Sequence, residues 1–145
     1  MWCDEDFITE VLKEDLGAGD VTCEAIIPIS QISSARLICK EKGILAGAHL
    51  FQKVFEILNP SISVSFLFQN GEEVSPGQEV AKIKGSTRGI LAGERTALNL
   101  LQHLSGIATQ TRQIQEILKD SPVKILDTRK TLPLLRRFQK EAVKA

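Results

Sequence analysis

Ser61-Ile62-Ser63-Val64-Ser65-Phe66-Leu67-Phe68-Gln69-Asn70-Gly71 carries the cleanest strand signal in the chain. Ile62, Val64, Phe66 and Phe68 alternate with Ser61, Ser63 and Ser65, so one face is apolar and the other polar, as in a half-buried strand. Asn70-Gly71 follows as a hairpin signal, because that pair accepts positive φ at little cost. Glu73-Val74, the turn Ser75-Pro76-Gly77 and Glu79 to Lys84 then predict short strands around a second turn.

Outward from this centre the pattern becomes helical. Upstream, Leu50, Phe51, Val54, Phe55 and Leu58 form a helical stripe that Asn59-Pro60 stops. Ala35, Leu37 and Cys39 alternate with Arg36, Ile38 and Lys40, a strand punctuated by Gly43. Phe7, Ile8, Val11 and Leu12 predict a first helix, capped by Asp4 or Asp6 and ended by Gly17, with Gly17-Ala18-Gly19-Asp20 as a turn. Downstream, apolar residues recur at spacings of three and four from Ile90 to Leu118, where Gly106 marks a bend or a close helix contact. After Ser121-Pro122, Val123 to Leu126 reads as a buried parallel strand, and Pro133 opens a helix through Leu134, Leu135, Phe138 and Ala142. No stop signal follows Ala145, and one β-α unit cannot close a barrel or an open parallel sheet. The pattern thus predicts a chain that breaks off within a larger fold, leaving Leu134, Leu135 and Phe138 without partners of their own.

Composition limits the function classes. The 145 residues are 43% hydrophobic and 25% charged, the balance of one ordinary globular core. Eighteen basic residues offset eighteen acidic ones, so no global field favours nucleic acid or an anionic membrane. Cys3, Cys23 and Cys39 are too few and scattered for a disulfide framework or a zinc site. The acidic N-terminus lacks the pattern of a signal peptide, and no apolar run approaches membrane-spanning length. A cytoplasmic protein is expected.

Chemistry concentrates in Ile125-Leu126-Asp127-Thr128-Arg129-Lys130-Thr131. A carboxylate, two hydroxyls and two cations stand at the C-terminal mouth of an apolar segment, the end where barrels and open sheets bind ligands. Arg129 offers a planar fork for a carboxylate or phosphate, and Lys130 a point charge beside it. A solvated loop with Asp127 paired to Arg129 fits the spacing equally well. Glu94, Arg95 and Asn99, and the segment Leu104 to Thr109, read as ordinary helix residues. His49 and His103 read as packed or solvated. Gly71 to Ile83 has the rhythm of half a biotinyl or lipoyl carrier domain, but its Ser75-Pro76-Gly77 tip has no lysine to modify.

Five segments add a resemblance. Glu14-Asp15-Leu16-Gly17-Ala18-Gly19-Asp20-Val21-Thr22, Gly43-Ile44-Leu45-Ala46-Gly47, Glu94-Arg95-Thr96-Ala97-Leu98-Asn99, Leu104-Ser105-Gly106-Ile107-Ala108-Thr109 and Asp127-Thr128-Arg129-Lys130-Thr131 occur in the order found in quinolinate phosphoribosyltransferases. The resemblance runs from about Phe7 to Ala145. It implies an α+β fold: an N-terminal α/β sandwich domain with connecting helices over residues 1–120, then the truncated start of an α/β barrel over 121–145. It further implies transfer of phosphoribose from phosphoribosyl pyrophosphate to quinolinate, with decarboxylation, Mg²⁺ as cofactor, and a homodimer or hexamer of dimers. In that family Thr128, Arg129 and Lys130 match a loop that contacts substrate. Arg95 matches an arginine that serves the partner subunit's site, and Arg136 and Lys140 match the supporting helix that follows.

Some residues depart from that pattern. Family members usually carry glycine where Leu134 stands, and Glu-Lys-Tyr where Gln139-Lys140-Glu141 stands. The family's Mg²⁺ and phosphate residues lie beyond the segments matched here, so this chain alone is expected to be inactive. Two alternatives share these features: a paralogue associated with molybdenum transport, and a non-catalytic module that dimerises or binds an anion.

Overall fold

The first core helix, α1 (Asp4–Leu16), buries the stripe Phe7, Ile8 and Leu12, as its spacing predicts. A computed structural model describes residues 3–17 and 19–145. Its cap differs from expectation. Cys3 is the N-cap, its sulfur accepting from the Asp6 amide while an Asp6 carboxylate oxygen accepts from the Cys3 amide. The helix begins one residue earlier than the aspartates suggest, so Asp6 serves as the reciprocal half of a capping box. Gly17 ends the helix at φ 51° and donates its amide to Lys13 O. Ala18, within the expected turn, lies outside the described residues.

A short helix, α2 (Val21–Ile26), follows in a stretch for which the sequence predicted no element. Asp20 caps it, accepting from the Cys23 amide at 3.0 Å. Six residues with Val21 and Ile26 exposed leave no apolar stripe to detect. Arg88 holds this helix down by donating to the carbonyls of Ile27 and Glu24.

β1 (Ile32–Ile38), β5 (Glu79–Ser86) and β3 (Ser63–Phe66) form an antiparallel sheet in the order β1-β5-β3. Ile83 stands between Ala35 and Val64 in the register and points into the core. A second, two-stranded sheet pairs β2 (Gly43–Ile44) with β4 (Glu73–Val74). Gly71 does adopt a positive φ of 91°, yet the strands on either side of Asn70-Gly71 do not pair with each other. The Gly71 amide donates instead to Leu45 O, and Asn70 Oδ1 accepts from the Ala48 amide. The turn therefore passes the chain from one sheet to the other.

α3 (Ala48–Leu58) packs Phe51 edge-on against Phe66 of the sheet, with ring centroids 5.5 Å apart. The long helix α4 (Thr87–Ile117) lies along α3 and buries Ile90, Ala97, Leu101, Leu104 and Ala108. Gly93 brings the two helices close: a Cβ there would meet Leu58 at 2.8 Å and Phe55 at 2.9 Å. Gly106 has no such neighbour, and α4 continues through it.

Two expectations for the last segment are corrected. Residues 123–126 form no strand; Leu126 is 85% exposed. A parallel strand exists only by pairing with a neighbour, and none of the described strands pairs with this segment. The final helix, α5 (Arg136–Lys144), is not left without partners either. Leu134 is 70% exposed, as expected, but Phe138 is only 4% exposed and packs its ring 4.9 Å from Phe7. Phe138 and Ala142 belong to the same apolar cluster as α1, α3 and α4.

Candidate anion-binding loop

Asp127 to Thr131 has no regular structure, so its shape comes from side chains that reach back to it. Most come from α5. Lys140 pairs with Asp127 at 2.8 Å, and Arg136 donates to Thr131 Oγ1 at 3.2 Å and to Arg129 O at 3.4 Å. Within the loop, Thr128 Oγ1 accepts from the Lys130 amide at 3.0 Å. The Leu132 amide donates to Gln139 Oε1 at 3.2 Å, which ties the end of the loop to the same helix. The Asp127–Arg129 pair that the spacing allowed does not form; Asp127 is taken by Lys140.

This arrangement divides the cations by task. Arg136 and Lys140 are spent on the loop itself. Arg129 and Lys130, both exposed, enter no ion pair or side-chain hydrogen bond among the described residues. Two unpaired cations beside a hydroxyl, on a loop whose backbone is braced from α5, make this the candidate anion site of the chain.

Arg95 sits elsewhere. In the first third of α4 it donates to Asp15 Oδ1 at 3.0 Å, while Thr96 Oγ1 donates to Asp15 Oδ2 at 3.3 Å. The guanidinium is 72% exposed beside a small cavity of about 170 Å³ lined by Asp15, Asp20 and Glu94. At the edge of this cavity, hydrogen bonds from Cys23 hold the Asp20 carboxyl below the usual carboxylate range. The cavity beside Arg95 includes neither Arg129 nor Lys130.

A groove of about 660 Å³ lies between β2 and α4 and includes none of the loop. Its hydroxyls are occupied. Ser105 Oγ accepts from the Ala46 amide at 3.0 Å and donates to Ala46 O at 3.2 Å. Thr109 Oγ1 accepts from the Ile44 amide at 2.8 Å and donates to Ser105 O at 2.7 Å. Close approach needs glycines opposite: a Cβ on Gly43 would meet Thr109 Oγ1 at 2.8 Å, and one on Gly47, at φ 87°, would meet Leu104 at 2.6 Å. Gly43 to Gly47 and Leu104 to Thr109 are thus two halves of one structural joint.

The fold and the segment order agree with the comparisons. Residues 20–105 match the family model described as quinolinate phosphoribosyl transferase, N-terminal domain, and residues 107–145 match that of the C-terminal domain. The chain belongs to the quinolinate phosphoribosyltransferase family. It is 40% identical over 132 residues to a probable nicotinate-nucleotide pyrophosphorylase (carboxylating) of Bacillus subtilis, covering 91% of this chain and 45% of that protein. It is 42% identical over 133 residues to the chloroplastic nicotinate-nucleotide pyrophosphorylase (carboxylating) of Arabidopsis thaliana, covering 91% of this chain and 38% of the relative. The crystal structure of NadC from Streptococcus pyogenes superposes with a TM-score of 0.93 at 40% identity, over 97% of this chain and 50% of that one. The chain therefore spans half or less of the length of these relatives.

Sequence reasoning treated His103 as a packed or solvated histidine, and noted Gln139 only as a departure from the family. In the structure they meet, with Gln139 Nε2 2.8 Å from His103 Nε2. A contact between residues so far apart in sequence leaves no periodic or spacing signal.

Proposed function

We propose that this family member takes part in phosphoribosyl transfer from phosphoribosyl pyrophosphate to quinolinate, with decarboxylation, giving nicotinate mononucleotide, pyrophosphate and CO₂. The observation that carries this reading is the loop in which Arg129 and Lys130 stay unpaired while Lys140 and Arg136 hold the backbone behind them. Quinolinate has two adjacent carboxylates. A guanidinium fork and a neighbouring ammonium complement that pair, and Thr128 adds a hydroxyl beside them. Such fixed positive charge also stabilises the electron pair left on the ring as CO₂ departs.

In the same reading Arg95, which shares its cavity with none of the loop residues, serves the site of a second subunit in a homodimer or hexamer of dimers. The protein is taken to work in the cytoplasm; no described helix is long and apolar enough to cross a membrane. Mg²⁺ would accompany the phosphoribosyl pyrophosphate. The residues present do not fit it: no group of three or more His, Cys, Asp or Glu among the described residues could hold a metal ion, and Asp127 is neutralised by Lys140.

The test is quinolinate-dependent pyrophosphate release by the whole protein that carries this sequence. Arg129→Ala should lower kcat/KM by about a hundredfold or more, the scale of removing one donor from a developing anion. Release that ignores quinolinate, or that survives Arg129→Ala, would refute the assignment.

A further inference from the structure

Among the described hydrogen bonds, Gln139 is the one side chain that joins the end of the loop to α4: its Oε1 accepts from the Leu132 amide and its Nε2 lies 2.8 Å from His103 Nε2. This chain of contacts fixes a proton. A backbone N–H can only donate, so the Gln139 atom facing Leu132 must be the carbonyl oxygen. The atom facing His103 is then the NH₂ group, which also can only donate. His103 Nε2 must therefore accept, and the single proton of the neutral ring must sit on Nδ1. Free histidine favours the opposite tautomer, with the proton on Nε2. The alternative rotamer of Gln139 would set its NH₂ against the Leu132 N–H and lose that anchor.

We infer that His103 is held as the Nδ1–H tautomer and, through Gln139, is a positioning residue for the loop that carries Thr128, Arg129 and Lys130. Its importance for substrate rests on the quinolinate reading above; its effect on the loop does not. Lys140 and Arg136 tie the loop only to its own helix, α5. Gln139 carries that tie across to α4, alongside the Phe138 ring that seats α5 in the core. Without the His103 acceptor, Gln139 can rotate freely and the loop's orientation on the domain loosens.

Long-range ¹⁵N–¹H spectra of the 145-residue chain at about pH 8, where imidazole is neutral, read the tautomer directly. A pyrrole-type Nδ1 and pyridine-type Nε2 at His103 are expected; the reverse pattern overturns the inference. Hydrogen exchange at the Leu132 amide should speed up about fivefold in His103→Leu, the equivalent of ~1 kcal/mol for one net hydrogen bond. It should return to the wild-type rate in His103→Gln, whose Oε1 can accept where Nε2 does. Unchanged exchange in His103→Leu also overturns it. If His103→Leu speeds exchange throughout α4, the variant is misfolded, and the tautomer spectrum with His103→Gln decides instead. Quinolinate affinity should weaken in His103→Leu and recover in His103→Gln. A wild-type chain that does not bind quinolinate sinks the proposed function, while the tautomer and exchange results still decide this one.

Discussion

Leu134 is the only non-glycine residue with positive φ among the described residues, at 65°. For an L-residue that conformation crowds Cβ against the following carbonyl, at a cost of roughly 1–2 kcal/mol. Leu134 recovers little of this through burial, because its side chain is largely exposed. The position lies between Pro133 and the first turn of α5, where the chain must swing from the loop onto the helix. Leu134→Gly should therefore raise stability by about 0.5–1 kcal/mol, after allowing for the greater freedom of glycine in the unfolded chain. Urea denaturation measures this. A fall in the midpoint would show that Leu134 contributes packing that its exposure does not reveal. Nothing about leucine announces its φ; the glycine that family members usually carry at this position is the sequence signal for it.

At the scale of elements, the long helices were legible, while the short α2 and the strand pairings were not. The stripes of α1, α3 and α4 repeat locally, so Phe7, Ile8, Leu50, Phe51, Val54, Leu101 and Leu104 are all buried as their spacing requires. Ile62 to Phe68 gave a strand with the right faces, but its partner is β5 and not the strand across Asn70-Gly71. That choice depends on long-range packing that no local period encodes. The loop cations were visible as residue types, and their freedom from ion pairs was not, because it depends on Lys140 reaching Asp127. The joint between β2 and α4 gives a test at this scale. Thr109→Val keeps the shape but leaves the Ile44 amide without its acceptor in a part-buried site, which should cost about 1–3 kcal/mol. A neutral result in thermal or urea denaturation would mean that water replaces the hydroxyl there.

For the whole molecule, the division of cations between Arg95 and the loop makes a claim about assembly. If Arg95 serves a partner's site, Arg95→Ala and Arg129→Ala variants of the whole protein that carries this sequence should each be nearly inactive, and mixing them with subunit exchange should restore activity. One site of the mixed dimer then carries both arginines and the other neither. Failure to recover would place Arg95 in its own chain's site or outside the reaction. The central claim, that the loop receives the two carboxylates of quinolinate, is tested most directly by an NMR titration of this chain. Quinolinate should shift the amides of Thr128 to Thr131 saturably and more tightly than nicotinate, which has one carboxylate. The shifts should vanish in Arg129→Ala. Shifts confined to the groove between β2 and α4, or equal affinity for the two acids, would contradict the account.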